Sequence, residues 1–150
     1  MADLARAFPG ITIVFDHTGS PLGNPPYSDH AAVFAEWRRG MEQIARHQNV
    51  VLKFGGLGMP VLGPPLVQEG VHPPSTALAE LWRPWFEVCL DSFGPSRIMF
   101  ESNYPADAPN GSYRTLWNAF KRLALPLSKD ERQALFSLTA ARAYQLEDVA

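Results

Sequence analysis

Apolar residues follow two different patterns along this chain, and their alternation predicts its elements. Three short runs, at 11–15 (ITIVF), 50–54 (VVLKF) and 98–100 (IMF), are rich in β-branched and aromatic residues, and each breaks off abruptly into polar or glycine residues. Such runs read as buried parallel strands whose carboxyl ends deliver polar side chains to a surface. They predict strands over 11–16, 50–55 and 97–102. Any one of them taken alone also fits a core strand ending in an ordinary loop. The recurrence of the same ending is what points to a shared site, because ligands bind at the carboxyl ends of strands in parallel α/β folds.

Between the runs, apolar positions recur at the three- and four-residue spacings of amphipathic helices. Leu4, Ala5 and Phe8 suit the last turn of a helix stopped by Pro9 and Gly10. Phe34, Trp37, Met41 and Ile44 form one stripe, with Ser28 as the cap, Asp29 in the first turn and Asn49 closing the segment. Leu78, Leu81 or Trp82, Trp85, Phe86, Cys89 and Phe93 form a second stripe, capped by Ser75 and ended by Gly94 and Pro95. Pro84 either kinks that helix or splits it. Leu116, Trp117, Phe120 and Leu123 follow a Ser112 cap, and Pro126 ends their helix. The stretch from Ser128 to Glu131 is a capping-box pattern opening a last helix, with Leu135, Phe136, Ala140, Tyr144 and Leu146 as its inner stripe.

Strands alternating with helices predict parallel pairing through right-handed crossovers. Three strands alone leave both sheet edges unpaired, a liability that folded proteins avoid. With 150 residues the chain also falls short of a complete (β/α)8 barrel, which takes roughly 200 or more. The expectation is a single domain over 1–150 with an α/β, partial TIM-like barrel, either a piece of a larger barrel or a partner to another chain. A homo-oligomer covering the sheet edges is one such arrangement.

Composition narrows the classes. At 46% hydrophobic and 19% charged residues the chain is globular rather than disordered. A net charge of −2 with scattered Lys and Arg gives no footprint for nucleic acid or a membrane surface. No run approaches the ~18 apolar residues of a membrane span, and the amino terminus lacks a signal-peptide pattern, so a cytoplasmic location is expected. The single cysteine, Cys89, excludes an internal disulfide and reads as a packed thiol. The 14 prolines gather in the connections, among them Pro21, Pro25 and Pro26, then Pro60, Pro64 and Pro65, then Pro105 and Pro109. Long, stiff loops after the strands are where binding function concentrates.

The candidate chemistry lies at the strand ends. His17, Lys53 and Asn103 would emerge together if the strands are adjacent and parallel. A histidine, an amine and an amide at one rim can bind an anionic or carbonyl-bearing small molecule. His17 would serve as base, ligand or donor, Lys53 would hold a carboxylate, and Asn103 would donate to a developing oxyanion. Each has a plain structural alternative: His17 ties down a loop beside Asp16, Lys53 is solvated or bridging, and Asn103 satisfies turn backbone. Glu101 and Asp107 are further carboxylates nearby, either of which also fits a solvent-facing loop charge. Gly55, Gly56 and Gly58 permit positive φ or close backbone approach. No Lys-Ser/Thr follows them, so they are no phosphate loop.

The segments 15–19 (FDHTG), 51–59 (VLKFGGLGM) and 93–105 (FGPSRIMFESNYP), with 117–120 (WNAF) and 135–142 (LFSLTAAR), resemble the carboxyl-terminal half of the amidohydrolase-2 family, which contains sugar-lactone and pyrone-dicarboxylate lactonases and related decarboxylases. The resemblance covers nearly the whole chain. It implies a TIM-like barrel in which these strands are the sixth, seventh and eighth, and a hydrolase acting on a lactone or carboxylated ring. It also implies an amino-terminally shortened form, since the family's first-strand His-x-His pair is absent. His17 matches the sixth-strand histidine that contacts metal or substrate in that family, and Asn103 stands where hydrolytic members carry an aspartate that activates water. His17 and Asn103 are thus the catalytic candidates, and Lys53 and Asp107 the substrate-binding ones. An amide has no basic lone pair to take a proton from water. No metal ligand or cofactor is therefore expected in this chain, and a divalent ion such as zinc enters only if strands outside it supply ligands. The alternative is a non-catalytic remnant or binding domain that assembles with another chain.

Overall fold

The three apolar runs form one parallel sheet, and its register is what brings the strand ends together. A computed structural model describes residues 1–59 and 71–146. Helix α1 (Ala2–Ala7) leads into β1 (Ile13–Phe15), followed by α2 (His30–Ile44), β2 (Val50–Phe54), α3 (Ser75–Phe93) and β3 (Ile98–Phe100). Then come α4 (Tyr113–Leu123), α5 (Lys129–Gln133), a π-helical turn at Ala134–Leu138, and α6 (Thr139–Tyr144). The strand order is β1-β2-β3, with Val14 opposite Val51, Leu52 opposite Ile98 and Phe54 opposite Phe100. Over the described residues the fold is therefore α/β, with three parallel strands in an open sheet and flanking helices.

Alternation along the strands separates two faces. Val50, Leu52, Phe54, Ile98 and Phe100 join the helix-covered core with Trp82, Phe86, Cys89, Leu116 and Phe120. Phe100 stacks on Phe120 with ring centroids 4.8 Å apart, and Phe54 meets Phe86 edge-on at 5.2 Å. A second aromatic cluster, Phe34, Trp37 and Trp85, seats α2 against α3. The intervening positions Val14, Val51, Lys53 and Met99 belong to the other face.

Several local expectations change. The strands are shorter than 11–16 and 97–102: the ladder from β1 to β2 starts only at Ile13, and β3 spans Ile98–Phe100, with the Glu101 amide still donating to the Phe54 carbonyl beyond it. Asp29, not Ser28, caps α2: its carboxylate accepts the Ala32 amide at 3.0 Å. The α2 helix ends at Ile44, and Asn49 instead reaches back to the carbonyls of Ala5, Phe8 and Ile11, tying α1 to the sheet. Pro74 rather than Ser75 stands at the start of α3, and that helix runs unbroken through Pro84. Both Pro84 and Glu80, whose carbonyl loses its amide partner there, are solvent-exposed, so water can satisfy that carbonyl. Ser112 and the Ser128–Glu131 capping box cap their helices as expected. The inner stripe of the last segment stops early: Leu135 is buried, but Tyr144 is exposed after the π turn re-phases the helix, and Leu146 lies beyond the end of α6, past the left-handed Gln145. Pro60, Pro64 and Pro65 lie outside the described residues. No helix among the described residues is long and apolar enough to cross a membrane.

Candidate active site at the strand ends

The chain leaves β1 through a left-handed turn. His17, Thr18, Gly19 and Ser20 all have positive φ, at 55°, 52°, 74° and 48°. For non-glycine residues this conformation costs about 1–2 kcal/mol each, so it persists only where surrounding contacts impose it. Those contacts centre on Thr18, which is fully buried. Its hydroxyl donates to the Gly55 carbonyl at 2.9 Å and accepts the Gly55 amide at 3.1 Å. Its carbonyl accepts the Trp37 indole N–H at 2.8 Å. The turn is thereby pinned to the end of β2 and to α2, and His17 is carried over the sheet edge.

There His17 meets Glu101, the residue after β3. Glu101 Oε1 accepts the His17 backbone amide at 3.0 Å and lies 2.7 Å from His17 Nδ1. Lys53 Nζ stands 3.8 Å from the other carboxylate oxygen and 3.2 Å from Asp16 Oδ1. Strand parity explains the convergence, since Asp16, Lys53 and Glu101 all fall on the face away from the helices. The Glu101 side chain is only 13% exposed, against 35% for His17. Lys53 also lies over the Tyr144 ring, 5.6 Å from its centroid. Burial pulls the Lys53 ammonium down, but hydrogen bonds to Tyr144 and Asp16 outweigh it, and its pKa sits above the ordinary lysine value.

A second cluster lies beside the first. Asn103, with φ of 48°, donates its side-chain N–H to Asp107 Oδ1 at 2.9 Å, and Asp107 Oδ2 accepts the Gly58 amide at 3.3 Å. Asn110 closes the group by donating to the Gly58 carbonyl. Burial raises the Asp107 carboxyl above its usual range; the Asn103 and Gly58 donors oppose that, while the neighbouring Glu101 charge adds to it. Asp107 is thus turned inward at 2% exposure, with both carboxylate oxygens engaged, unlike a residue that reaches out to a substrate. Asn103, its hydrogen-bond partner, is half-buried.

Glycines make this packing feasible. A Cβ at Gly55 would lie 2.2 Å from the Glu101 carbonyl oxygen, and one at Gly56 would lie 2.8 Å from His17 Cβ. Sequence reasoning placed His17, Lys53 and Asn103 at strand ends, but missed Glu101 as the residue joining two of them. The available signal was parity: Glu101 is two residues after Met99, which pairs with Lys53.

The Amidohydro_2 family model, described as amidohydrolase, matches residues 1–146. The chain belongs to the amidohydrolase family. Among relatives, this amidohydrolase-family chain is 35% identical over 144 residues to the uncharacterized protein y4mH of Sinorhizobium fredii, covering 96% of this chain and 42% of that protein. It is 33% identical over 141 residues to an L-fucono-1,5-lactonase of Burkholderia multivorans, covering 92% of this chain and 44% of that one. The chain therefore spans less than half the length of these curated relatives. An amidohydrolase from Burkholderia multivorans crystallised with bound HEPES superposes with a TM-score of 0.80 at 28% identity, covering 97% of this chain and 48% of that one. A second crystal form, with bound zinc, gives 0.78 at the same identity. These neighbours are TIM barrels, and this chain covers about half the length of one.

Zinc in that neighbour raises the question of whether the present residues fit a metal. Among the described residues no group of three or more His, Cys, Asp or Glu could hold one. His17 Nδ1 is engaged by Glu101, and an amide occupies position 103. Among the described residues, the donor set does not by itself fit a metal centre.

Proposed function

We propose that this chain contributes the carboxyl-terminal half of the active-site rim of a hydrolase that opens a lactone or carboxylated ring. The observation that carries the reading is the convergence of His17 and Lys53 on Glu101, with the Asn103–Asp107 pair beside them, at the carboxyl ends of three parallel strands. Membership of the amidohydrolase family and the lactonase among its relatives agree with it.

Ring opening adds water to the ester carbonyl carbon, breaks the bond to the ring oxygen and yields a hydroxy acid. His17 takes the proton from water as it attacks and returns it to the departing ring oxygen. Lys53, held as an ammonium at the rim, attracts a substrate carboxylate or the developing oxyanion. Asn103, its amide oriented by Asp107, donates a hydrogen bond to the carbonyl oxygen. Asp107 acts from behind as a positioning group. The strands that complete the barrel would supply the rest of the pocket, so the domain 1–150 is read as the carboxyl-terminal portion of such a barrel, acting on a small molecule.

The test is hydrolysis of a panel of sugar 1,4- and 1,5-lactones, L-fucono-1,5-lactone among them, followed with a pH indicator because opening releases a proton. Turnover above the spontaneous rate is expected when the chain is joined to the strands that complete the barrel, falling by about 10²-fold or more in His17→Ala with the fold retained. Rates equal to buffer in that completed barrel would sink the hydrolase reading. The amide at position 103 and the lack of a metal-holding cluster among the described residues favour one second reading, a binding module. Saturable lactone binding by calorimetry without turnover would select it, and loss of that binding in His17→Ala would keep the site.

A further inference from the structure

We infer that Glu101 is a positioning residue that fixes the imidazole tautomer of His17, leaving Nε2 as the atom that meets water or substrate. The inference rests on the hydrolase reading for its catalytic meaning, but not for its measurement.

Glu101 Oε1 faces the backbone amide of His17 at 3.0 Å and its ring Nδ1 at 2.7 Å. A backbone N–H can only donate, so Oε1 is an acceptor there. An ionised carboxylate has no proton to give, so the ring contact is made with Nδ1 as donor. In the neutral ring the proton then sits on Nδ1 and the lone pair on Nε2. Among the described residues Nε2 has no hydrogen-bond partner, and the side chain is 35% exposed, so that lone pair faces outward. Imidazole free in water prefers the opposite tautomer, with the proton on Nε2, which would put a donor where a base is needed.

Three features give Glu101 the rigidity this role requires. Its backbone amide donates to the Phe54 carbonyl at 3.1 Å, continuing the β2–β3 ladder. The Lys53 ammonium stands 3.8 Å from Oε2, drawing that oxygen away from the ring. Gly55 and Gly56 leave no side chain between the acid and the ring, and any Cβ there would strike Glu101 or His17. The chelate of amide and ring by one oxygen fixes the imidazole plane as well as its proton. Other charged groups near the pair are Asp16, through Lys53, and Asp107, whose oxygens are engaged by Asn103 and Gly58.

The experiment is a long-range 1H–15N correlation of the imidazole rings in the 15N-labelled full chain, at a pH where the rings are neutral. The signals of His17 are assigned by their loss in His17→Ala. Wild type is expected to show a pyrrole-type Nδ1 and a pyridine-type Nε2. Glu101→Ala should move the proton to Nε2, whereas Glu101→Gln, whose carbonyl oxygen can accept both N–H groups, should retain the wild-type pattern. Glu101→Asp, one methylene shorter, carries the same expectation as alanine and replaces it if the alanine variant does not fold. A wild-type ring protonated on Nε2, or a tautomer indifferent to Glu101→Ala or Glu101→Asp, overturns the inference. With a lactone the wild type hydrolyses, kcat should fall about 10²-fold in Glu101→Ala and recover in Glu101→Gln, with KM little changed. If the completed barrel turns over no lactone while the tautomer follows Glu101 as stated, the hydrolase reading fails and the positioning role stands.

Discussion

Adding one methyl group at Gly55 tests the packing of the rim most directly. In Gly55→Ala the new Cβ would lie 2.2 Å from the Glu101 carbonyl oxygen and 2.4 Å from its Cγ. Against an optimal non-bonded separation of about 3.5 Å, the strand ends must part by roughly 1.3 Å. The oxygen belongs to the backbone, so no side-chain rotation can relieve the clash. Parting the strands also weakens the Glu101 amide bond to Phe54 and the pair of bonds between Thr18 and Gly55. Overpacking costs about 1–3 kcal/mol, and the three hydrogen bonds, weakened rather than broken, about 1 kcal/mol more between them, giving an expected loss of about 2–4 kcal/mol.

Gly40 supplies the control. It lies within α2, and a Cβ there would meet nothing within 4 Å. Alanine is favoured over glycine in a helix interior by about 1 kcal/mol, so Gly40→Ala should be neutral to stabilising. Urea unfolding of both variants, followed by circular dichroism and compared at equal slope, measures the difference. In a domain of this size the Gly55 loss corresponds to a fall of about 5–15 °C in Tm. Should Gly55→Ala cost less than about 0.5 kcal/mol, or match Gly40→Ala, the contact between the ends of β2 and β3 is not as described.

Two further outcomes follow from buried groups. Burial raises the Cys89 thiol well above its ordinary value, so it should resist a thiol reagent such as DTNB in the folded chain and react stoichiometrically in denaturant; prompt labelling of the folded chain would remove Cys89 from the core. Asp107 has a carboxyl raised mainly by burial, so the folded state holds its proton more tightly than the unfolded state. The cost of its charge is full above the folded pKa and is relieved as pH falls toward the unfolded value of 3.8. The stability of Asp107→Asn relative to wild type should therefore rise with pH from about 4 until the carboxyl has titrated, then level off; a difference that falls over that range contradicts the assignment.

Elements that rest on local chemistry were legible in the sequence. The β-branched runs, the helical stripes, and the Ser112 and Ser128 caps depend on residues within a turn or two of each other. What was not legible depends on residues far apart in the chain. Nothing in His17, Thr18 or Ser20 predicts positive φ; the turn is imposed by Gly55 and Trp37. Asp107 resembles a loop charge until Gly58 and Asn103 close on it. Glu101 also resembled one, because the strand was extended by composition without carrying its alternation one residue past Phe100. Cap positions shifted by a single residue, at Asp29 and Pro74, where neighbouring residues compete for the same role.

The sheet order explains why the second strand ends in glycine. His17 follows β1 and Glu101 follows β3, and β2 lies between them. Neighbouring strands are about 4.8 Å apart, so these two backbones are separated by roughly twice that distance. A histidine and a glutamate can still meet, but only by reaching toward each other over the end of β2. Any side chain there would occupy the path of the contact, and the Gly55 and Gly56 clashes fall on Glu101 and His17 respectively. The glycine pair therefore serves a bridge between its two neighbours rather than a ligand of its own. The same geometry accounts for Lys53, the last residue of β2 before the glycines to point away from the helices: its ammonium stands 3.8 Å from the same carboxylate. The rim is thus assembled across three strands at once, and a change at the end of any one of them should disturb His17.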